Sequence, residues 1–121
     1  MMRFGLGLKT ALLFMTLMAP ANAQSIGGVY EAVGTNLDGS SYRGTATITL
    51  TSSTTCKIRW QTGGTTSQGI CMRNGSAFSA AYVLGRAIGL VIYNVQQNGT
   101  LQGIWTVAGS EGVGTEILTP R

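Results

Sequence analysis

The groups able to do chemistry are few and scattered. Two cysteines (Cys56 and Cys71), four acids (Glu31, Asp38, Glu111 and Glu116) and no histidine are all that the 121 residues offer for nucleophilic, acid–base or metal work. Cysteine–histidine zinc sites, Ser-His-Asp triads and Cys-His dyads are excluded by composition. The acids show no pairing, so no nucleophile stands beside a base, and a non-catalytic chain with no metal and no cofactor is expected. The cysteines lack the Cys-x-x-Cys spacing of a redox pair and read as a structural disulfide. Binding chemistry rests instead on aromatic side chains. Trp60 and Trp105 could wall a pocket, with Tyr42, Tyr82 and Asn94 as polar handles for a small apolar ligand. Ordinary core packing, with each polar tip satisfied locally, is the competing role for the same residues.

These side chains must be positioned by strands. Apolar and polar residues alternate in short runs separated by glycine-rich turns, and no window carries a helical stripe. Tyr42 to Thr51 is the clearest run, with Tyr42, Gly44, Ala46, Ile48 and Leu50 on one face and Arg43 and four threonines on the other. Eight runs are expected, at about 27–34, 42–51, 56–62, 67–73, 76–84, 89–96, 100–108 and 113–119. Short links make every connection compatible with antiparallel neighbours, so an up-and-down order follows.

Gly63-Gly64, Asn74-Gly75 and Asn98-Gly99 read as two-residue hairpin turns. The first places Cys56 opposite Cys71, within disulfide reach. The second pairs Cys71 with Phe78 and Ser67 with Tyr82. The third pairs Ile92 with Trp105 and Leu90 with Val107, which turns Val91, Tyr93, Val95 and Ile104 outward as a candidate surface patch for a protein partner or self-association. On the last strand, Val113, Thr115 and Ile117 are expected inside and Glu116 in solvent. A shift of one residue would make Glu116 the only acid within the sheet, with a raised pKa and a claim to function. An open meander of eight strands leaves two bare edges. Closure removes them, so the expected fold is all-β, an eight-stranded antiparallel up-and-down meander closed into a small barrel.

Residues 1–23 carry the three parts of an export signal: Arg3 and Lys9, the apolar run TALLFMTLMA, and a small-x-small end at Ala21 and Ala23. Residues 24–121 then form one barrel domain, exported to the periplasm or secreted, where two cysteines normally oxidise. The remaining basic residues are scattered, so no nucleic-acid partner is expected. The expected outward set is rich in threonine, arginine and lysine, which argues against membrane insertion once the signal is removed.

The blocks Asp38 to Gly44 (D-G-S-S-Y-R-G), Cys56 to Trp60 (C-K-I-R-W), Gly69 to Met72, Gly89 to Tyr93, Gly99 to Thr106 and Gly114 to Leu118 recur in one order. They resemble a group of small exported bacterial β-barrel proteins, some carrying a fibronectin-binding label. Gly-x-Trp/Tyr strands in a meander also look like avidin and lipocalin barrels. The resemblance implies an exported binding module acting on a matrix protein through its outer surface or barrel-end loops. The alternatives are a carrier of a small apolar ligand in the barrel interior, or an inhibitor of a cell-wall hydrolase reaching a cleft with Ser40-Ser41-Tyr42.

Overall fold

The computed structural model describes residues 25–121; the export segment expected over residues 1–23 lies outside them. Eight strands follow in chain order: β1 (Gly28–Thr35), β2 (Ser41–Leu50), β3 (Thr55–Thr62), β4 (Thr65–Asn74), β5 (Ala77–Leu84), β6 (Ala87–Val95), β7 (Leu101–Val107) and β8 (Gly114–Pro120). Each pairs antiparallel with the next, and β8 pairs back onto β1 through Ala32 with Leu118 and Gly34 with Glu116. The sheet is a closed barrel without edges, as the meander requires.

Turn chemistry sets which side chains enter it. At Gly63-Gly64 both residues have positive φ (56° and 81°), the geometry of a two-residue type I′ turn. Cys56 therefore faces Cys71, with 5.0 Å between their Cα atoms, and the two are joined in a disulfide. The next turn is Gly75-Ser76 rather than Asn74-Gly75, because Asn74 still pairs with Ala77. That moves the partner of Cys71 from Phe78 to Ala80 but leaves the inner face unchanged, since the slip is two residues.

The β6–β7 connection corrects the expected register. Asn98-Gly99 is not a two-residue turn. The Gln96 amide donates to the Thr100 carbonyl (2.8 Å) and the Gly99 amide to the Gln96 carbonyl (3.0 Å), leaving a three-residue loop over 97–99 with Gly99 at φ 87°. The Asn98 carboxamide oxygen locks it by accepting from the Thr100 amide and hydroxyl. An odd loop shifts pairing by one residue, so Val91 faces Trp105 and Gly89 faces Val107. Val91 and Tyr93, expected outside, are fully buried. Val95 is half-buried and packs against the core, while Ile104 alone of that group stands exposed. Leu90 and Ile92, expected inside, are on the outer wall.

β8 is corrected in the same way. Gly114, Glu116 and Leu118 point in, and Val113, Thr115 and Ile117 point out. Leu118 is fully buried against the lower core, and the inward phase lets the Trp105 ring lie over Gly114.

The strands run between two ends. The β1–β2, β3–β4, β5–β6 and β7–β8 connections lie at the upper end, and the chain enters at the lower. The lower half is filled by Ile48, Cys56, Ile58, Cys71, Phe78, Leu101 and Leu118, all buried. Tyr30 donates its hydroxyl to the Ile26 carbonyl (2.6 Å) and ties the segment before β1 to this base. The disulfide sits within that packed half and closes a loop of 15 residues. Replacing both cysteines (Cys56→Ala with Cys71→Ala) should cost about 3 kcal/mol of unfolding free energy from chain entropy, read as a fall in the urea midpoint with a slope that stays equal or rises as the uncrosslinked chain expands. A loss below about 1 kcal/mol would show that the barrel closes without help from the bridge.

Candidate functional site

The upper half is hollow. A cavity of about 300 Å³ opens at the upper end and is lined by Tyr42, Trp60, Tyr82, Val91, Tyr93, Trp105 and Glu116, with Asn36, Thr62, Thr65 and Ser67 toward its mouth. Four of its rings are placed by one rule. Tyr42, Tyr82, Tyr93 and Trp105 stand directly across the sheet from Gly34, Gly89, Gly103 and Gly114. Each side chain approaches its glycine so closely that a β-carbon there would collide with it, and at Gly34 and Gly103 with a backbone carbonyl as well. A glycine on one strand thus makes room for the aromatic on the next. Trp60, opposite Ala46 and Ser67, packs instead against Tyr82 with ring centres 5.0 Å apart, and Tyr42 meets Trp105 edge-on at 6.2 Å.

At the centre of these rings lies Glu116, buried at 4 % exposure. Its Oε2 accepts from the Trp60 indole N–H (3.0 Å) and from the Tyr93 hydroxyl, and its Oε1 accepts from the Tyr42 hydroxyl (2.9 Å). Three donors from three strands converge on one carboxyl group. The Trp105 indole donates to the Thr115 carbonyl (3.2 Å), which Tyr42 also reaches (3.2 Å). Among the described residues no buried side-chain nitrogen or oxygen lacks a partner.

Burial pushes the Glu116 carboxyl above its ordinary value, and the hydrogen bonds from Tyr93, Tyr42 and Trp60 only partly offset it. Burial, and then the negative field of Glu116, push Tyr82 up to about 12 and hold Tyr42 and Tyr93 well above the ordinary phenol. All three phenols are therefore neutral donors at neutral pH. No group of three or more histidine, cysteine or acidic side chains assembles among the described residues. A metal ion entering this cavity would find Glu116 as its one anionic ligand.

The candidate pocket read from the sequence is thus divided. Trp60, Trp105, Tyr42 and Tyr82 come together around the cavity, whereas Asn94 is exposed on the outer wall. Tyr93 and Val91, assigned to a surface patch, line the cavity instead, and Glu116, expected in solvent, is its floor. Glycines standing opposite aromatics were a usable signal for Tyr93, because a ring needs an empty neighbour only on the crowded inner face.

A buried carboxyl whose folded pKa is raised favours folding when protonated. The contribution is complete below the ordinary glutamate value and is lost as pH rises through the raised one. Thermal unfolding should therefore show stability falling from pH 4.5 upward, and Glu116→Gln should flatten that fall. Parallel profiles for the two proteins would sink the assignment.

No protein-family model and no curated protein matches the chain. Solved structures do. A redesigned β-barrel superimposes with a TM-score of 0.70 at 16 % identity, covering 83 % of this chain and 96 % of that one. A de novo designed fluorescence-activating β-barrel gives 0.65 at 16 % identity, covering 84 % and 98 %. The redesigned barrel mFAP1, bound to DFHBI, gives 0.67 at 17 % identity, covering 82 % and 98 %. At such identities the likeness is one of fold: the expected closed eight-stranded barrel is met, while membership of the exported bacterial group has no sequence match behind it.

Proposed function

We propose that this chain is a non-catalytic, exported binding protein that holds a small, flat, largely apolar ligand in the upper half of its barrel. The observation that carries the reading is the uneven filling of the interior: one half is packed solid, the other keeps about 300 Å³ open to the loop end between aromatic rings. Core packing alone would favour filling that volume, since an unfilled interior forfeits contacts. A cavity of this size suits a compact ring system, and a preformed wall lowers the entropy cost of binding. One acid without a neighbouring base gives no acid–base couple, in keeping with binding rather than turnover. Likeness in fold to a redesigned barrel bound to DFHBI supports a barrel of this kind taking a small ligand. The disulfide and the N-terminal segment support export.

Flat aromatic probes such as indole and naphthol should raise the melting temperature and quench tryptophan emission saturably. Trp105→Leu should weaken binding at least about tenfold by removing one wall. No stabilisation by any member of such a panel would overturn the carrier reading.

A second reading has its own observation. The outer wall of β4–β7 carries Ile70, Met72, Val83, Ile88, Leu90, Ile92 and Ile104, each more than half exposed. The register makes them continuous: Ile70 adjoins Ala81, which faces Leu90, and Ile92 faces Ile104. Lys57 and Arg59 on β3 border this wall, and no acid occurs between Asp38 and Glu111. An apolar, cation-edged wall fits a protein partner, including the matrix-protein type implied by the sequence resemblance. Sedimentation velocity across a concentration series, with immobilised fibronectin in parallel, tests it. The intact chain should associate or bind and Leu90→Lys with Ile92→Lys should not; a strict monomer that ignores fibronectin would remove this reading.

A further inference from the structure

Glu116 is an unusual floor for an apolar cavity. A carboxylate accepts about four hydrogen bonds, and the protein supplies three: Trp60 and Tyr93 on Oε2 and Tyr42 on Oε1. Tyr42 divides its single proton between Oε1 and the Thr115 carbonyl, so Oε1 is the less saturated oxygen. Among the described residues no lysine or arginine lines the cavity, and the chain has no histidine. A buried carboxylate without a counter-ion is costly, and packing the rings requires none, because Tyr hydroxyls and indole N–H groups are satisfied by backbone carbonyls, as Trp105 and Tyr82 show.

The cavity thus offers one negative group, no cation, and the faces and edges of Tyr42, Trp60, Tyr82 and Trp105. We propose that the ligand carries a protonated amine that binds Glu116 Oε1 among these rings, with the rest of a flat body held toward the upper mouth. An ammonium supplies the missing counter-charge and the missing donor at once, and it gains from aromatic faces. The inference rests on the carrier reading and adds the ligand's charge to it.

Tryptamine and its neutral isostere tryptophol make a matched pair of probes, titrated calorimetrically into the intact barrel at pH 7.5. Tryptamine should bind at least about tenfold more tightly than tryptophol. Glu116→Gln should erase that preference while still binding tryptophol. The unsubstituted protein gives a second measurement that does not depend on the variant's folding. Tyr42, Tyr82 and Tyr93 are the titratable groups facing Glu116, all neutral well above pH 8 because their phenols are raised, and β1, β3, β4 and β7 face it with Gly34, Trp60, Ser67 and Trp105, none of which ionises. The amine, with a pKa near that of lysine at roughly 10, stays charged from pH 5 to 8. Tryptamine affinity should therefore rise with pH as Glu116 gives up its proton, with protons released on binding, while tryptophol affinity stays flat or falls. Equal affinities for both probes, or a preference that survives Glu116→Gln, would overturn the amine while leaving a neutral-ligand carrier intact. Failure of both probes to bind would overturn the carrier reading and the amine with it.

Discussion

Closure of the sheet constrains everything else in this molecule. In an open sheet a strand can slip by a residue and fray at an edge, but here β8 must pair with β1 and β7 at the same time. Side chains alternate strictly between faces, so the two seams together force Gly114, Glu116 and Leu118 inward. The inward placement of Leu118 extends the packed base, and the inward placement of Glu116 creates the acceptor to which β2, β3 and β6 each send a donor. A charged or chargeable group is tolerated there because three donors surround it, and the residual cost appears as its raised pKa.

The interior is thereby split by chemistry as well as by packing. Below, aliphatic residues, the disulfide and Phe78, whose ring stacks on that of the cavity residue Tyr93, fill space without polar demands of their own. Above, bulky rings stand close against glycines of the neighbouring strands. Small residues opposite large ones would normally close a barrel; here the glycines give the rings room beside the neighbouring strand, and a cavity remains at the upper end. The same substitutions of side-chain volume explain both the rigidity of the site and its hollowness.

The outer surface is likewise divided. Strands β2 and β3 present threonine, arginine and lysine, as an amphipathic strand facing water should. Strands β4–β7 present isoleucine, leucine and methionine on the outside while also supplying an apolar inside. Strand β6, with Ile88, Leu90 and Ile92 outside and Val91 and Tyr93 inside, is apolar on both faces, which is the pattern of a strand covered on both sides.

That double apolarity marks the boundary of what the amino-acid order could determine alone. Eight strands, their antiparallel order, the Cys56–Cys71 pairing and the inner faces of β2 to β5 and β7 were all legible, because each depends on alternation or on a turn whose chemistry has one solution. Gly63-Gly64 is such a turn. Where a strand offers two apolar faces, alternation carries no information: Leu90 and Ile92 are as suitable inside as Val91 and Tyr93. In β8 alternation pointed the other way, sending the acid Glu116 to solvent and Thr115 and Ile117 inside. For β6 the choice fell to whether Asn98-Gly99 closes a loop of two or three residues, a difference set by the Asn98 side chain capturing Thr100. For β8 it fell to pairing with a strand some eighty residues away. Only the tertiary structure could decide that Glu116 is the floor of an aromatic cavity, because the three groups that make its burial tolerable reach it from other strands.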